Sequence, residues 1–287
     1  MPIYAPTLPP RPERGLGDPP ALVLARFDVR RVLRQRIGMF FLFTLGVWLL
    51  IKLVMLYVNH LLGTKTQLAG VKDLATALLP QGAAFQADFL SGPMLFVIWL
   101  LAAFVGGGLV ARDTLHRIRP LMYAHPVRPA DYWMGKALTA VGLPLAVMIP
   151  FILLPWVLSL LIAGGAGPVW PTLPLRMIPA ALAIALLMGA VTLGASALAA
   201  TPRAGVGWSL GILFGLNAPA TVLAKVLDQP AWQALSPTDL AAAWPQLLCG
   251  VAPPSLGWLP TALGTAAHLA VWAWILRMRT RPSEAVL

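Results

Sequence analysis

Residues with reactive or ionisable chemistry are sparse in this chain, and their spacing excludes more than it offers. His60, His116, His125 and His268 fall on separate segments, with no H-E-x-x-H or other paired-ligand spacing, so no metal site is expected. Cys249 is the only cysteine, which excludes an internal disulfide and a multi-thiolate centre. No nucleophile elbow, no buried acid pair and no Ser-His-Asp set on a common face is expected, so hydrolysis has little to work with. Met134 to Ala137 reads MGKA and lacks the upstream glycine and the Ser/Thr of a G-x-x-x-x-G-K-[ST] phosphate loop. The chain is therefore expected to be no enzyme and to bind no cofactor itself. What remains is charge concentrated in one connector, LHRIRPLMYAHPVRPADYW from Leu115 to Trp133, which holds Arg117, Arg119, Arg128 and three prolines between two apolar stretches.

The elements that position this connector are set by composition. The 287 residues are 59% hydrophobic and 11% charged, with mean hydropathy +0.78, whereas a soluble domain carries about a quarter charged residues. A bilayer core of about 30 Å needs about 20 apolar residues in a helix. Runs of that kind occupy 38–61, 92–111, 137–163, 177–200, 205–226 and 258–276. The expected fold is an all-α polytopic membrane protein with six transmembrane helices. The net charge of +11 encodes topology rather than nucleic-acid binding, because the arginines cluster at the ends of apolar runs. Arg26 to Arg36, Arg112 to Lys136, Arg203 and Arg277 to Arg281 share one side if the chain alternates faces. The other side holds Lys65, Lys72, Arg176 and Lys225, offset by Asp73, Asp88, Asp228 and Asp239. The positive-inside rule then puts both termini in the cytoplasm of a bacterial-type inner membrane.

Residues 1–20 are expected to form a Pro-rich cytoplasmic tail, without the pattern of a cleaved signal peptide, and 277–287 a second cytoplasmic tail. Between 21 and 37, Arg26, Arg30 and Arg34 recur every four residues opposite Leu22, Ala25, Val29, Val32 and Leu33. This predicts an amphipathic elbow helix at the inner interface, its arginines anchored on lipid headgroups. The loop 227–257 is expected to be outer and partly helical, with 240–249 an apolar segment too short to cross, stopped by Ala252 to Pro254.

The connector 112–136 thus becomes the largest cytoplasmic loop. Asp113 is placed to cap a short helix that Pro120 interrupts. Pro120, Pro126 and Pro129 stiffen the remainder of the connector, and Tyr132, Trp133 and Lys136 are expected at headgroup level. Its arginines serve either as headgroup anchors or as partners for acids on another protein. Asp113, Leu121, Met122, Pro126, Val127, Arg128, Asp131, Tyr132, Gly135 and Lys136, in this order after a second span, resemble the permeases of the ABC type-2 exporter family. The likeness extends to the elbow helix, the six spans, the outer helical element and Leu235 to Pro237 in the last outer loop. It departs from the family at Arg117, where a glycine is usual nearby, and at the Pro-Val-Arg-Pro of 126–129, where the arginine is displaced.

The resemblance implies a permease that pairs with a second permease, expected to be an identical copy, around a path opened by two separate ATP-binding subunits that carry ATP and Mg. The coupling residues it implies are Asp113, Arg117, Arg119, Leu121, Met122, Tyr123, Pro126, Arg128, Asp131 and Tyr132. The cargo implied is hydrophobic or amphipathic, with lipid as a further partner. Lys52, Trp99 and Asn217 are candidates for the substrate path. Lys52 alternatively snorkels to the outer headgroups, and Asn217 alternatively makes a helix-to-helix hydrogen bond. Gly106, Gly107 and Gly108 provide either close packing or a hinge, and Pro144, Pro150 and Pro155 are expected to kink the third span. The rivals are an ion-coupled secondary transporter, disfavoured because every acid is placed in a loop or tail, and a non-transporting membrane anchor or assembly subunit.

Overall fold

The computed structural model describes residues 19–64, 82–118, 128–163, 171–251 and 254–280. Among these the chain is helical, without strands. Six stretches are long and apolar enough to cross a membrane: Arg36–Val58, Asp88–Leu115, Pro129–Ile162, Leu173–Leu198, Pro202–Val226 and Trp258–Arg279.

Helix α1 (Pro20–Leu33) starts on Pro20 at a position where the missing N–H costs nothing. It ends at Arg34, and α2 (Arg36–Thr64) begins directly afterwards. Gly38 allows this tight corner, since a Cβ there would meet the Val32 carbonyl oxygen at 2.5 Å. The second crossing is composite. A short helix α3 (Gly82–Ala87) and a 3-10 turn (Asp88–Leu90) lead into α4 (Gly92–Gly106), and α5 (Leu109–Leu115) comes after a turn at Gly107 and Gly108.

Helix α6 (Pro129–Ala163) runs 35 residues through Pro144, Pro150 and Pro155, or about 52 Å at 1.5 Å per residue. It is longer than the hydrocarbon core and starts well before the expected span. The fourth crossing is α7 (Leu173–Leu198). The fifth is broken at Leu216 into α8 (Pro202–Gly215) and α9 (Asn217–Val226). A 3-10 turn (Pro230–Leu235), α10 (Pro237–Cys249) and α11 (Trp258–Thr280) complete the chain. Gly250, in the left-handed region at φ 73, stops α10 before the Ala252–Pro254 stretch that was expected to do so. Ala252 and Pro253 lie outside the described residues, as do 1–18 and 281–287 of the terminal tails.

Helix α7 is the axis of the bundle, packed against α4, α5, α6, α8, α10 and α11. Its inward positions are small or flexible, including Ala180, Ala181, Ala185 and Met188, so neighbours approach closely. Helices α2, α8, α9 and α11 lie at the periphery. They present Phe40, Phe43, Leu50, Trp208, Leu259 and Trp274 outward, an apolar surface suited to lipid tails and costly in water.

The glycine run in the second crossing meets the fifth span backbone to backbone. A Cβ on Gly107 would lie 2.8 Å from the Gly205 carbonyl oxygen, and one on Gly205 would overlap the Gly107 carbonyl. The break at Gly107 and Gly108 also frees backbone donors. Ser196 Oγ of α7 accepts two of them, from the N–H groups of Val110 and Ala111, each at 3.0 Å. Close packing, the first of the two expectations for this run, is what the glycines provide. Gly205→Ala is therefore expected to destabilise by about 1–3 kcal/mol. Gly207→Ala, in open space, should change little; unfolding of both variants in detergent micelles provides the measurement.

Candidate functional site

The charge that hydropathy assigns to loops and headgroups is partly folded into the protein. At the end of the bundle where α1, α5 and α6 meet, the Lys136 ammonium lies 2.9 Å from Asp28 Oδ2 and 2.8 Å from Asp113 Oδ2. The Tyr132 hydroxyl donates to the same Asp113 oxygen at 3.0 Å, and its ring centroid is 5.5 Å from the ammonium. Asp28, Asp113, Tyr132 and Lys136 are all buried.

Local sequence explains the assembly. Ala21, Ala25, Asp28 and Val32 share one face of α1, and that face is buried. Gly135 opens the space for it: a Cβ there would lie 2.9 Å from the Ala21 carbonyl oxygen and from Leu24 Cβ. Lys136, the next residue, then reaches Asp28, which is 108 positions away in sequence. Burial raises the pKa of Asp28 above 3.8; the Lys136 charge and hydrogen bond pull it down, Asp113 adds to the rise and Arg31 opposes it.

Several expectations change as a result. Asp113 is an interior residue of the last turn of α5 rather than the cap of a helix reaching Pro120. That helix ends at Leu115, and Arg117 turns the chain at φ 50. Tyr132 and Lys136 are enclosed by α1 and the second crossing, because α6 already begins at Pro129. The connector between helices is accordingly shorter than 112–136. Two acids facing one lysine also overturn both the expectation of no buried acid pair and the placing of every acid in a loop or tail.

Arg117 and Arg128 are exposed, and the Arg128 N–H donates to Asp131 Oδ2 at 3.2 Å across the first turn of α6. Arg119, Leu121, Met122, Tyr123 and Pro126 lie outside the described residues. Arg26, Arg30 and Arg34 are exposed, as expected. Leu22 and Leu33, assigned to the apolar side of the elbow, are exposed as well.

The chain matches no family model and no curated protein in comparisons with known sequences.

The substrate-path candidates have different partners. Lys52 is buried and forms an ion pair with Asp88 in the 3-10 turn, while Ser91 Oγ donates to the other Asp88 oxygen at 3.0 Å. Its ammonium is 5.7 Å from the Trp48 ring centroid. The pair ties the first crossing to the start of the second and stands in place of the snorkelling given as the alternative role of Lys52. Trp99 is 2% exposed within the apolar core. Asn217 Nδ2 donates to Asp239 Oδ1 at 3.1 Å and Thr238 Oγ1 at 3.3 Å, the interhelical hydrogen bond expected as its alternative role.

Sequence reasoning missed Asp28 and Asp88. A usable signal for Asp28 was its place as the one acid of a basic helix, on the face of Ala21 and Ala25. No metal-binding group of three or more His, Cys, Asp or Glu occurs among the described residues.

Lys136→Met leaves two buried carboxylates without their cation and is expected to cost about 3–5 kcal/mol. Combining it with Asp28→Asn and Asp113→Asn should recover most of that loss in detergent unfolding. The pH dependence has a definite sign. A carboxylate raised in the folded state holds its proton more tightly there than when unfolded, so this stability contribution falls as pH rises from 3.8 toward the folded value. Asp28→Asn should flatten that segment of the stability profile.

Proposed function

We propose that this chain is the permease subunit of an ATP-driven exporter of the ABC type-2 kind. It pairs with a second copy in a bacterial-type inner membrane, and two separate ATP-binding subunits carry the nucleotide and Mg. In this reading α1 is the interfacial elbow helix and both termini are cytoplasmic. The connector between α5 and α6 receives the ATPase, and the cargo is hydrophobic or amphipathic.

The observation that carries the proposal is the Asp28–Lys136–Asp113 cluster. A force-transmitting connector must be fixed at both ends, or displacement is lost in slack chain. Asp113 belongs to the helix entering the connector and Lys136 to the helix leaving it, and their ion pair fixes one to the other. Asp28 adds α1 to the same unit. Exposed Arg117 and Arg128 flank the connector and remain available to acids on a partner.

One observation favours a second reading, an ion-coupled secondary transporter. Two buried carboxylates on one lysine are the kind of group that carries protons or cations in such proteins. A transporter of that class would need no ATPase, and its transport would depend on a proton or cation gradient.

Gentle solubilisation of the tagged chain and mass spectrometry of stoichiometric companions separate the two. The expected result is a soluble protein carrying a phosphate loop, lost on charge reversal by Arg117→Glu with Arg128→Glu. Recovery of the chain alone in several mild detergents, with gradient-driven uptake in liposomes, would establish the second reading instead.

A further inference from the structure

At the end of the bundle opposite the Lys136 cluster, a concavity of about 660 Å³ opens between the break in the fifth crossing, the 3-10 turn Pro230–Leu235 and α11. Its volume is within the range of about 300–1,000 Å³ typical of small-molecule sites. Leu216, Trp232, Leu235, Leu263, Val271 and Trp272 are the large apolar residues of its wall. Along α11, Leu263 is about 8 Å and Trp272 about 21 Å from the helix start at 1.5 Å per residue, so the wall lies within the length of the last membrane-spanning helix.

Two of the polar side chains in this wall, His268 and Trp272, are already engaged. His268 Nε2–H donates to the Leu235 carbonyl at 3.2 Å, and the Trp272 indole N–H donates to His268 Nδ1 at 3.4 Å. Water gains few partners there. Nor does an apolar concavity at this depth stay empty, because its lining would lose dispersion contacts on one side. Neighbouring segments also hold its shape. A Cβ on Gly264 would come within 2.9 Å of Ala234 Cβ, which shows how closely the 3-10 turn is pressed onto α11. Asn217, one residue beyond Leu216, is bonded to Asp239 and Thr238. Polar chemistry returns at the rim: Gln229 lines the mouth, preceded by exposed Lys225 and by Asp228, which turns the chain at φ 51.

From this arrangement we infer that the groove is a binding site for a membrane phospholipid, with one acyl chain along the Trp232–Leu263–Trp272 wall and the phosphate at the level of Lys225 and Gln229. The occupant is set by location. Acyl chains are the abundant alkyl groups beside membrane-spanning helices, and the exposed Lys225, whose turn closes on Gln229 through the Gln229 N–H bond to the Ala224 carbonyl at 3.0 Å, supplies a cation for a phosphodiester. The inference rests on the membrane-spanning helices and stands whether or not an ATPase partner exists.

The test uses the full chain in nanodiscs of phosphatidylcholine doped with a phosphatidylcholine bearing a diazirine on its acyl chain. After illumination, lipid adducts are mapped by peptide mass spectrometry. Adducts should concentrate on Trp232, Leu263 and Val271 over the outward residues Phe43 and Leu50 of α2. Ala267→Trp, at an exposed position that projects into the groove, should abolish the groove adducts and leave those on α2 unchanged. Ala231→Trp, placed on the opposite wall, provides the same test if the first variant elutes as aggregate. Adducts spread evenly over all outward faces and insensitive to both variants would overturn the inference. Crosslinks between two copies at Trp232 or Leu263 would also overturn it, by placing protein where the lipid is expected.

Discussion

The Lys136 ammonium is the interaction on which one end of this bundle depends. Removing two carboxylates and an ammonium from water costs several kcal/mol per ion, and that cost is met only if the partners stay in contact. Asp28 and Asp113 flank the ammonium at 2.9 and 2.8 Å, and Tyr132 fills a further acceptor position on Asp113. The excess negative charge is moderated by Arg31, which acts on Asp28. The ammonium adds α5 to a pair, α1 and α6, that already packs closely along the Ala21–Ala25–Val32 face, and so locks the three elements together. Gly135 is part of the same device, because α1 cannot come within reach of Lys136 unless the preceding residue lacks a side chain.

The spans were legible in the sequence because a membrane helix is specified by length and apolarity, which need no knowledge of neighbours. The helical element before the last span was legible for a similar reason: Ser236 and Asp239 are a local N-terminal signal, and the hydrogen bond from the Asp239 N–H to Ser236 Oγ at 3.2 Å fulfils it. Polar partners were not legible. Hydropathy offers Lys52 a place in the path or at the outer headgroups and Lys136 a place at headgroup level, since each is judged against lipid and water alone. Their acids lie 36 and 108 residues away and are brought near by the packing of helices that are not neighbours in sequence. Asp113 shows the converse error. Its place beside a proline-rich segment favours a local cap, whereas the tertiary partner on α6 binds more strongly than a backbone N–H at an exposed helix end.

The two ends of the molecule differ in how they are held. At the connector end, helices are joined by ion pairs and by the backbone contact of Gly107 with Gly205, both of which resist separation because nothing in a bilayer replaces them. At the opposite end, Leu216 interrupts the fifth crossing, and the short α9 is held to α10 through the Asn217 hydrogen bonds. The Gly107–Gly205 contact joins the break in the second crossing to α8, and α8 is itself interrupted at Leu216, where the groove begins. On the permease reading, this places the stiff part of the machinery next to the connector and its yielding part at the far side of the membrane, beside the surface inferred to hold lipid.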